Sequence, residues 1–283
     1  MKKRRRGSGW LLNLGIVLCG ICVVYFAAQI LHTWLEYRRG GETYGALSEL
    51  AVTGQEQELP VCTTTPAQEE PASPPRMEEQ LRPDDFLRPL EARGSGISVN
   101  FDVLRGINSE IVGWLYSPDT VIDYPIVQGN DNQYYLNRMF DGTRNSAGTL
   151  FLDYRGLADW SGENNVVYGH HMKNGSMLAS IEKYAEQEYY DAHPVMYLIV
   201  PEGEYRVELF AGYTAPADSD AYAMAFSGAE DYQAWLAARL EKSDFDAGIS
   251  LTPEDKVITL STCAYVYQDA RYVLHGRLTP LEN

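Results

Sequence analysis

Basic residues are sparse beyond the sixth position, at less than half the number of acidic ones. Of 23 Lys and Arg, five are Lys2, Lys3, Arg4, Arg5 and Arg6, so 18 remain against 39 Asp and Glu, a net −21 for the rest. A body this acidic repels polyphosphate, which argues against nucleic acid as a partner. Cysteine is scarce as well: Cys19, Cys22, Cys62 and Cys263 are the only four in 283 residues. That number excludes a small disulfide-stapled scaffold. Among five histidines there is no H-x-x-x-H pair, and no C-x-x-C follows Cys22, so the usual zinc spacings are lacking. His170, His171 and Cys263 could in principle share a metal, but adjacent histidines point in different directions. No metal or other cofactor is expected. There is no internal repeat, which excludes a solenoid.

Long apolar runs are rare too, and the single clear one is informative. After the basic cluster, Trp10 to about Leu35 is apolar apart from weak interruptions such as Asn13 and Gln29. A helix needs roughly 20 residues to cross the hydrocarbon core, whereas a cleaved leader carries about 7–15 apolar residues. The run therefore reads as an uncleaved transmembrane anchor. Basic residues before it and Glu36 after it put the N-terminus in the cytoplasm and the remainder outside. Cys19 and Cys22 lie within the span and read as small apolar residues. Cys62 lies in a segment of disordered composition, so a disulfide to Cys263 is not expected.

The expected organisation is a cytoplasmic basic tail over 1–9, an anchor over 10–35, an extracellular stalk over 36–93 and an outer domain over 94–283. The stalk is argued from TTTPAQEEPASPPR (Thr63–Arg76), too poor in large apolar residues to offset its ordering entropy. Met77–Leu90 could add a short helix. Beyond Ile97, the composition suits a packed core, with 45% hydrophobic and 12% aromatic residues in the whole chain. Eight strand-like runs follow: 111–116, 121–128, 149–154, 165–168, 195–200, 205–213, 256–261 and 272–278. Pro201-Glu202-Gly203 makes the fifth and sixth a hairpin. Short helices are expected at Phe101–Ile107, capped by Asn100, and at Ser176–Tyr184, with a clearer one at Glu230–Lys242. Mostly local strand neighbours suggest an antiparallel barrel or sandwich.

Cys263 closes the run 256–261, among small and polar neighbours. A free cysteine is more often a buried apolar residue than a nucleophile. As a nucleophile it needs a base, because the thiolate does the attack. His32 lies beside the span, His193 sits in an acidic turn at the surface, and His275 falls inside the last strand. His170 follows a strand and Gly169, which puts an imidazole at a loop rim within reach of substrate. Arg271 lies eight residues after Cys263 across Gln268-Asp269-Ala270. A hairpin there returns a guanidinium, a fixed multi-donor cation, to the thiol, where it can stabilise an oxyanion.

Three segments, VIDYPIVQGNDNQYYLNRMF (Val121–Phe140), VVYGHHMKNGSM (Val166–Met177) and TLSTCAYVYQDARYVLHGRL (Thr259–Leu278), resemble sortases, class B sortases in particular. The likeness covers roughly Phe101 to Leu278. It implies a mainly β fold: an eight-stranded barrel with N-terminal helices and a helix inserted before the last two strands, carried by the single transmembrane helix. It implies His170 as catalytic histidine, Cys263 as nucleophile and Arg271 as oxyanion partner. Asn132, Leu136 and Ser261 match the peptide-binding groove, with Tyr222 a weaker candidate for the same wall. The implied reaction is transpeptidation. A sorting motif near the C-terminus of a secreted protein is cut after threonine, and the acyl group passes to a peptidoglycan-precursor amine or a pilin lysine. The alternatives are a hydrolytic cysteine protease, which shares the thioacyl intermediate, and a non-catalytic membrane-tethered scaffold.

Overall fold

The computed structural model describes residues 8–54, 94–264 and 269–281. Helix α1 spans Ser8–Ala51, 44 residues. Leu14, Val17, Ile21, Val24, Ile30 and Leu35 are exposed around its first half, and the segment is long and apolar enough to cross a membrane. The helix does not stop where the apolar run stops. At about 1.5 Å per residue, its last turns reach well beyond a bilayer core of about 30 Å. There they carry Tyr44, Leu47 and Ala51 into the core of the outer domain.

The stretch 36–54, expected as the start of a stalk, is thus helix and strand packed on the barrel. The physical reason is amphipathicity that a composition count overlooks. Tyr44 donates to the Gly148 carbonyl, and its hydroxyl lies 3.1 Å from Thr149 Oγ1. Ser48 donates to Asp123 Oδ2 at 2.8 Å, and Asn145 Nδ2 donates to the Glu36 carbonyl at 3.0 Å. Strand β1 (Val52–Gly54) then pairs with β2 (Ile97–Val99). The Thr63–Arg76 run and the expected Met77–Leu90 helix lie outside the described residues. We expect Leu47→Ala to lower unfolding stability by about 2–3 kcal/mol, because a buried leucine on α1 is removed without collapse of its site. Denaturant titration of the full chain in detergent measures this, and an unchanged midpoint would mean that α1 does not hold the barrel.

Helix α2 (Phe101–Ile107) starts where expected, and Asn100 Oδ1 accepts the Val103 N–H at 3.1 Å. The strands are β3 (Ile111–Tyr116), β4 (Asp123–Val127), β5 (Leu150–Leu152), β6 (Asn164–Tyr168), β7 (Val195–Val200), β8 (Gly203–Pro216), β9 (Lys256–Cys263) and β10 (Ala270–Leu281). They close into a barrel in the order β10-β8-β7-β3-β4-β5-β6-β9. All eight expected strands are present, and a closed barrel, not a sandwich, is the solution. Closure leaves no sheet edge to protect. The barrel is mixed rather than antiparallel: β4 with β5 and β6 with β9 are parallel. A parallel pair needs a long crossover, about 20 residues from β4 to β5 and far more from β6 to β9, which local turn signals cannot announce. Ser176–Tyr184, expected as a helix, is instead a 3-10 segment at Ala179–Ala185, and helix α3 (Gln187–Ala192) follows it.

Helix α4 (Ala229–Lys242) precedes β9 and β10 and buries Tyr232, Trp235, Leu236 and Arg239. With Phe210 and Val257 these apolar side chains form a second packed cluster on the barrel wall. The Arg239 guanidinium is fully buried and meets Asp220 Oδ2 at 2.5 Å, while Trp235 Nε1 donates to the Asp220 carbonyl at 2.8 Å. Through these bonds α4 fixes the 3-10 turn Asp220–Tyr222 against the barrel.

His275, inside β10, is wholly buried. Thr259 Oγ1 donates to Asn164 Oδ1 at 2.6 Å, so at 2.8 Å it must accept from His275 Nδ1–H. Nε2 is left to accept the Tyr213 hydroxyl at 3.2 Å. Burial, helped by the Arg239 charge, pushes the His275 pKa down to about 3. A base whose pKa is lower folded than unfolded gives stability that is present above the unfolded value and lost as pH falls below it. Between pH about 6.5 and about 3, His275 should therefore cost up to ~1.4 kcal/mol of stability per pH unit. His275→Gln should flatten that slope in denaturation titrations at stepped pH; an unaltered slope would show that His275 is not the group responsible.

Candidate active site

One end of the barrel gathers the chemistry-bearing residues. Cys263 is the last residue of β9 and Arg271 the second of β10, and the two are direct register partners. The hairpin closes further with Ala264 N–H donating to the Ala270 carbonyl at 3.0 Å. Asp269 holds a positive φ of 61°, a conformation that aspartate tolerates in tight turns. Cys263 is a free, half-buried thiol, and the Arg271 guanidinium bonds the Ala270 carbonyl at 2.9 Å.

His170 reaches the same end from another strand. β6 runs parallel to β9 with Tyr168 opposite Ser261, and the Gly169 N–H continues the ladder to the Ser261 carbonyl at 3.1 Å. The chain thus leaves the sheet at His170 beside the end of β9. A Cβ at 169 would lie 2.3 Å from Leu150 Cδ2 and 2.8 Å from Leu178 Cγ, so any larger residue would have to push these buried leucines aside. His170 Nε2 lies 2.6 Å from the Leu136 carbonyl. A carbonyl only accepts, so Nε2 carries the proton of this bond. The neighbouring His171 is engaged elsewhere, its Nε2 2.8 Å from Glu182 Oε2. Of the other histidines, His193 is half-buried rather than exposed, stacked on Tyr189 at 4.4 Å between centroids.

The four residues expected to bind peptide fall in two hydrogen-bonded groups, Leu136 beside His170 and Asn132, Ser261 and Tyr222 around Asp153 and Tyr168. Leu136 sits in the 3-10 turn Tyr134–Asn137, which faces His170 through its carbonyl. Asn132 lies just before that turn. Its Nδ2 donates to Asp153 Oδ2 at 3.0 Å, and its Oδ1 accepts the Tyr154 N–H at 3.1 Å. Ser261 is buried in β9, two residues before Cys263, and its Oγ meets the Tyr222 hydroxyl at 2.9 Å. Tyr222 stacks on Tyr168 at 6.0 Å between centroids and 24° between planes.

Sequence reasoning missed Asp153, Arg155 and Tyr168. The Asp153 carboxylate accepts Arg155 Nε at 2.9 Å and Nη2 at 2.8 Å, the Arg155 N–H at 3.0 Å, and the Tyr168 hydroxyl at 3.0 Å. Burial raises the affinity of this carboxyl for its proton, but the hydrogen bonds from Arg155, Asn132 and Tyr168 overcome it, leaving Asp153 below the ordinary carboxylate range. Burial, reinforced by the Asp153 charge, raises the Tyr168 phenol. The available signal was an aspartate closing an apolar run, with an arginine two residues later.

No protein-family profile matches the chain. It is 36% identical over 177 residues to a protein named Sortase B from Listeria monocytogenes, covering 62% of this chain and 72% of that one. It is 31% identical over 169 residues to Sortase B of Staphylococcus aureus, covering 60% and 69%. Among solved structures, the crystal structure of S. aureus Sortase B superposes with a TM-score of 0.62 at 30% identity, over 64% of this chain and 87% of that one. Sortase B from Bacillus anthracis superposes with a TM-score of 0.59 at 37% identity, over 64% and 84%.

Proposed function

Because the chain belongs to the sortase B family of cysteine transpeptidases, we propose that it cleaves a C-terminal sorting motif after threonine and joins the acyl group to an amine of the cell-wall precursor. The observation that carries this reading is the meeting of three residues at one barrel end: the register pair Cys263–Arg271, and His170 leaving the adjacent β6. Cys263 attacks the threonine carbonyl as thiolate, and the C–S bond forms while the carbonyl oxygen takes the negative charge. Arg271 holds that oxyanion. His170 protonates the departing amine as the C–N bond breaks, leaving a thioacyl enzyme. An incoming amine then attacks, His170 accepts its proton, and the thiolate leaves.

Asn132, Leu136, Ser261 and Tyr222 form the walls that hold the peptide. S. aureus sortase B has been solved as a substrate complex, and sortase B has been solved in complex with triglycine, which favours a peptide donor and an amine acceptor here. Helix α1, long and apolar enough to span a membrane, supports a membrane-anchored enzyme with its N-terminus inside and its barrel at the outer face, near secreted protein and lipid-linked precursor. A pilin lysine is the other acceptor of suitable chemistry.

A library of threonine-containing peptides, incubated with the full chain in detergent and with triglycine, tests the reading. Mass spectrometry should find a product cut after threonine and ligated to triglycine. Cut product without ligation at high amine concentration would establish a hydrolase instead, and intact peptides throughout would remove the enzymatic reading.

A further inference from the structure

The side chains assigned to the peptide walls come from distant parts of the chain, Asn132 before a 3-10 turn and Tyr222 in the turn braced by α4. Between them lies one carboxylate. We propose that Asp153 is a positioning residue that locks the two walls in a single arrangement, so that the groove is preformed before the peptide arrives. This rests on the reading of Asn132 and Tyr222 as peptide-contacting residues.

The Asp153 side chain is 0% exposed, whereas that of its ion partner Arg155 is 54% exposed. Oδ1 accepts Arg155 Nε and the Arg155 N–H. Oδ2 takes Arg155 Nη2, Asn132 Nδ2 and the Tyr168 hydroxyl, at 2.8, 3.0 and 3.0 Å. An ion pair with Arg155 alone needs neither of the last two. Their presence makes Oδ2 a junction with one arm to Asn132 and another, through Tyr168, to Tyr222.

On one arm, the Asn132 amide is fixed at both ends, by Asp153 through its NH2 group and by the Tyr154 N–H through its oxygen. On the other, the Tyr168 ring lies between Phe151, at 5.4 Å, and Tyr222, at 6.0 Å. The Tyr222 hydroxyl then reaches Ser261, two residues from the thiol. Every donor aimed at Asp153 needs an acceptor. An asparagine of the same size presents an NH2 group to part of that set, and at least one arm must let go. Asp153 touches neither Cys263 nor His170 in this network, so its loss should weaken peptide binding and spare the thiol.

The test is steady-state kinetics of the full chain in detergent, with triglycine and the best peptide from the library screen. Asp153→Asn should raise KM about tenfold with kcat held within about threefold, the effect of a lost buried hydrogen bond on ground-state binding. The rate of Cys263 alkylation by iodoacetamide should not change. Tyr168→Phe should raise KM less, and the double variant should fall short of the sum of the two single effects, because both act on the same Asp153 junction. Asn132→Ala and Tyr222→Ala serve as references. If both references raise KM while Asp153→Asn leaves it at the wild-type value, the positioning proposal is overturned and the wall assignment stands. If neither reference raises KM while Cys263→Ala still abolishes ligation, the wall assignment fails and the proposal falls with it. Equal loss in kcat, KM and alkylation would mark general distortion, and also overturns the proposal. Should Asp153→Asn lose its cooperative melt, Tyr168→Phe decides alone, by a raised or an unmoved KM.

Discussion

Cys263→Ala should abolish ligation and leave the barrel folded. The thiol is free and half-buried, at the last position of a strand, so truncation to alanine creates little cavity and should shift stability by no more than about 1 kcal/mol. In the proposed mechanism its role has no substitute, because the acyl group is held covalently between the two half-reactions. Removal of a covalent nucleophile in a multi-residue site costs on the order of 10⁴-fold or more, and further loss of its partners then adds little. Cys263→Ala and the double variant with His170→Ala should thus be about equally inactive. Circular dichroism and thermal melting check the fold, and ligated product by mass spectrometry checks the chemistry. Near-normal turnover in Cys263→Ala would reject the mechanism outright.

Arg271→Lys should lower kcat by about 10²–10³-fold with a small change in KM, the scale of losing one preorganised oxyanion donor. Charge is conserved in this substitution, so it isolates geometry. The guanidinium is planar and offers donors in a fixed fork. One of these already goes to the Ala270 carbonyl at 2.9 Å, which orients the group while leaving others for substrate. An ammonium on a flexible stem can make the carbonyl bond or the oxyanion bond, but lacks the rigid spacing to make both. Because the interaction strengthens as negative charge develops, the loss belongs in kcat. A KM effect with kcat retained would recast Arg271 as a residue that only holds the ground-state peptide.

The two substitutions separate two kinds of failure. Without the thiol no covalent intermediate can form, and a pre-steady-state burst is lost together with turnover. With lysine at 271 the thiol still reacts with small alkylating agents at its normal rate, and only acyl transfer slows.

How much of this was legible in the string depends on whether the determining contact is local. The β7–β8 hairpin was readable because Val200 and Gly203 pair across a two-residue connection whose residues favour a turn. The return of Arg271 to Cys263 was readable for the same reason, since eight residues and a turn leave few other outcomes. Helix α4 announced itself through Tyr232, Trp235 and Leu236 on one face. By contrast, the parallel pairing of β6 with β9 joins residues more than 90 positions apart, and it alone brings His170 to the thiol. Only the resemblance to class B sortases supplied that link. The end of α1 is hidden because a basic and glycine-containing stretch after an apolar run looks like a linker. Its four-residue spacing of Tyr44 and Ser48 is meaningful only against Gly148 and Asp123. Asp153 was invisible for a similar reason: a charged residue in a strand run is ordinarily a solvated one, and its partners Asn132 and Tyr168 lie 21 and 15 residues away.

The closed barrel explains why such distant residues can be held so firmly. Each strand is paired on both sides, so the ends of β6, β9 and β10 cannot splay independently. Gly169 shows how tight the seat is. Gly169→Ala would force a Cβ against Leu150 and Leu178, beside the backbone that carries His170. A rim built this way is preorganised, as the proposed acyl transfer through a charged intermediate requires.

The most direct test is trapping of the intermediate itself. The full chain is mixed with the selected threonine-containing peptide without any amine, quenched in acid, digested, and mapped by mass spectrometry. The predicted result is an acyl group ending in threonine on the fragment that contains Cys263, discharged when triglycine is added and missing in Cys263→Ala. Ligation by Cys263→Ala, or an acyl group carried on any other residue, would contradict the account.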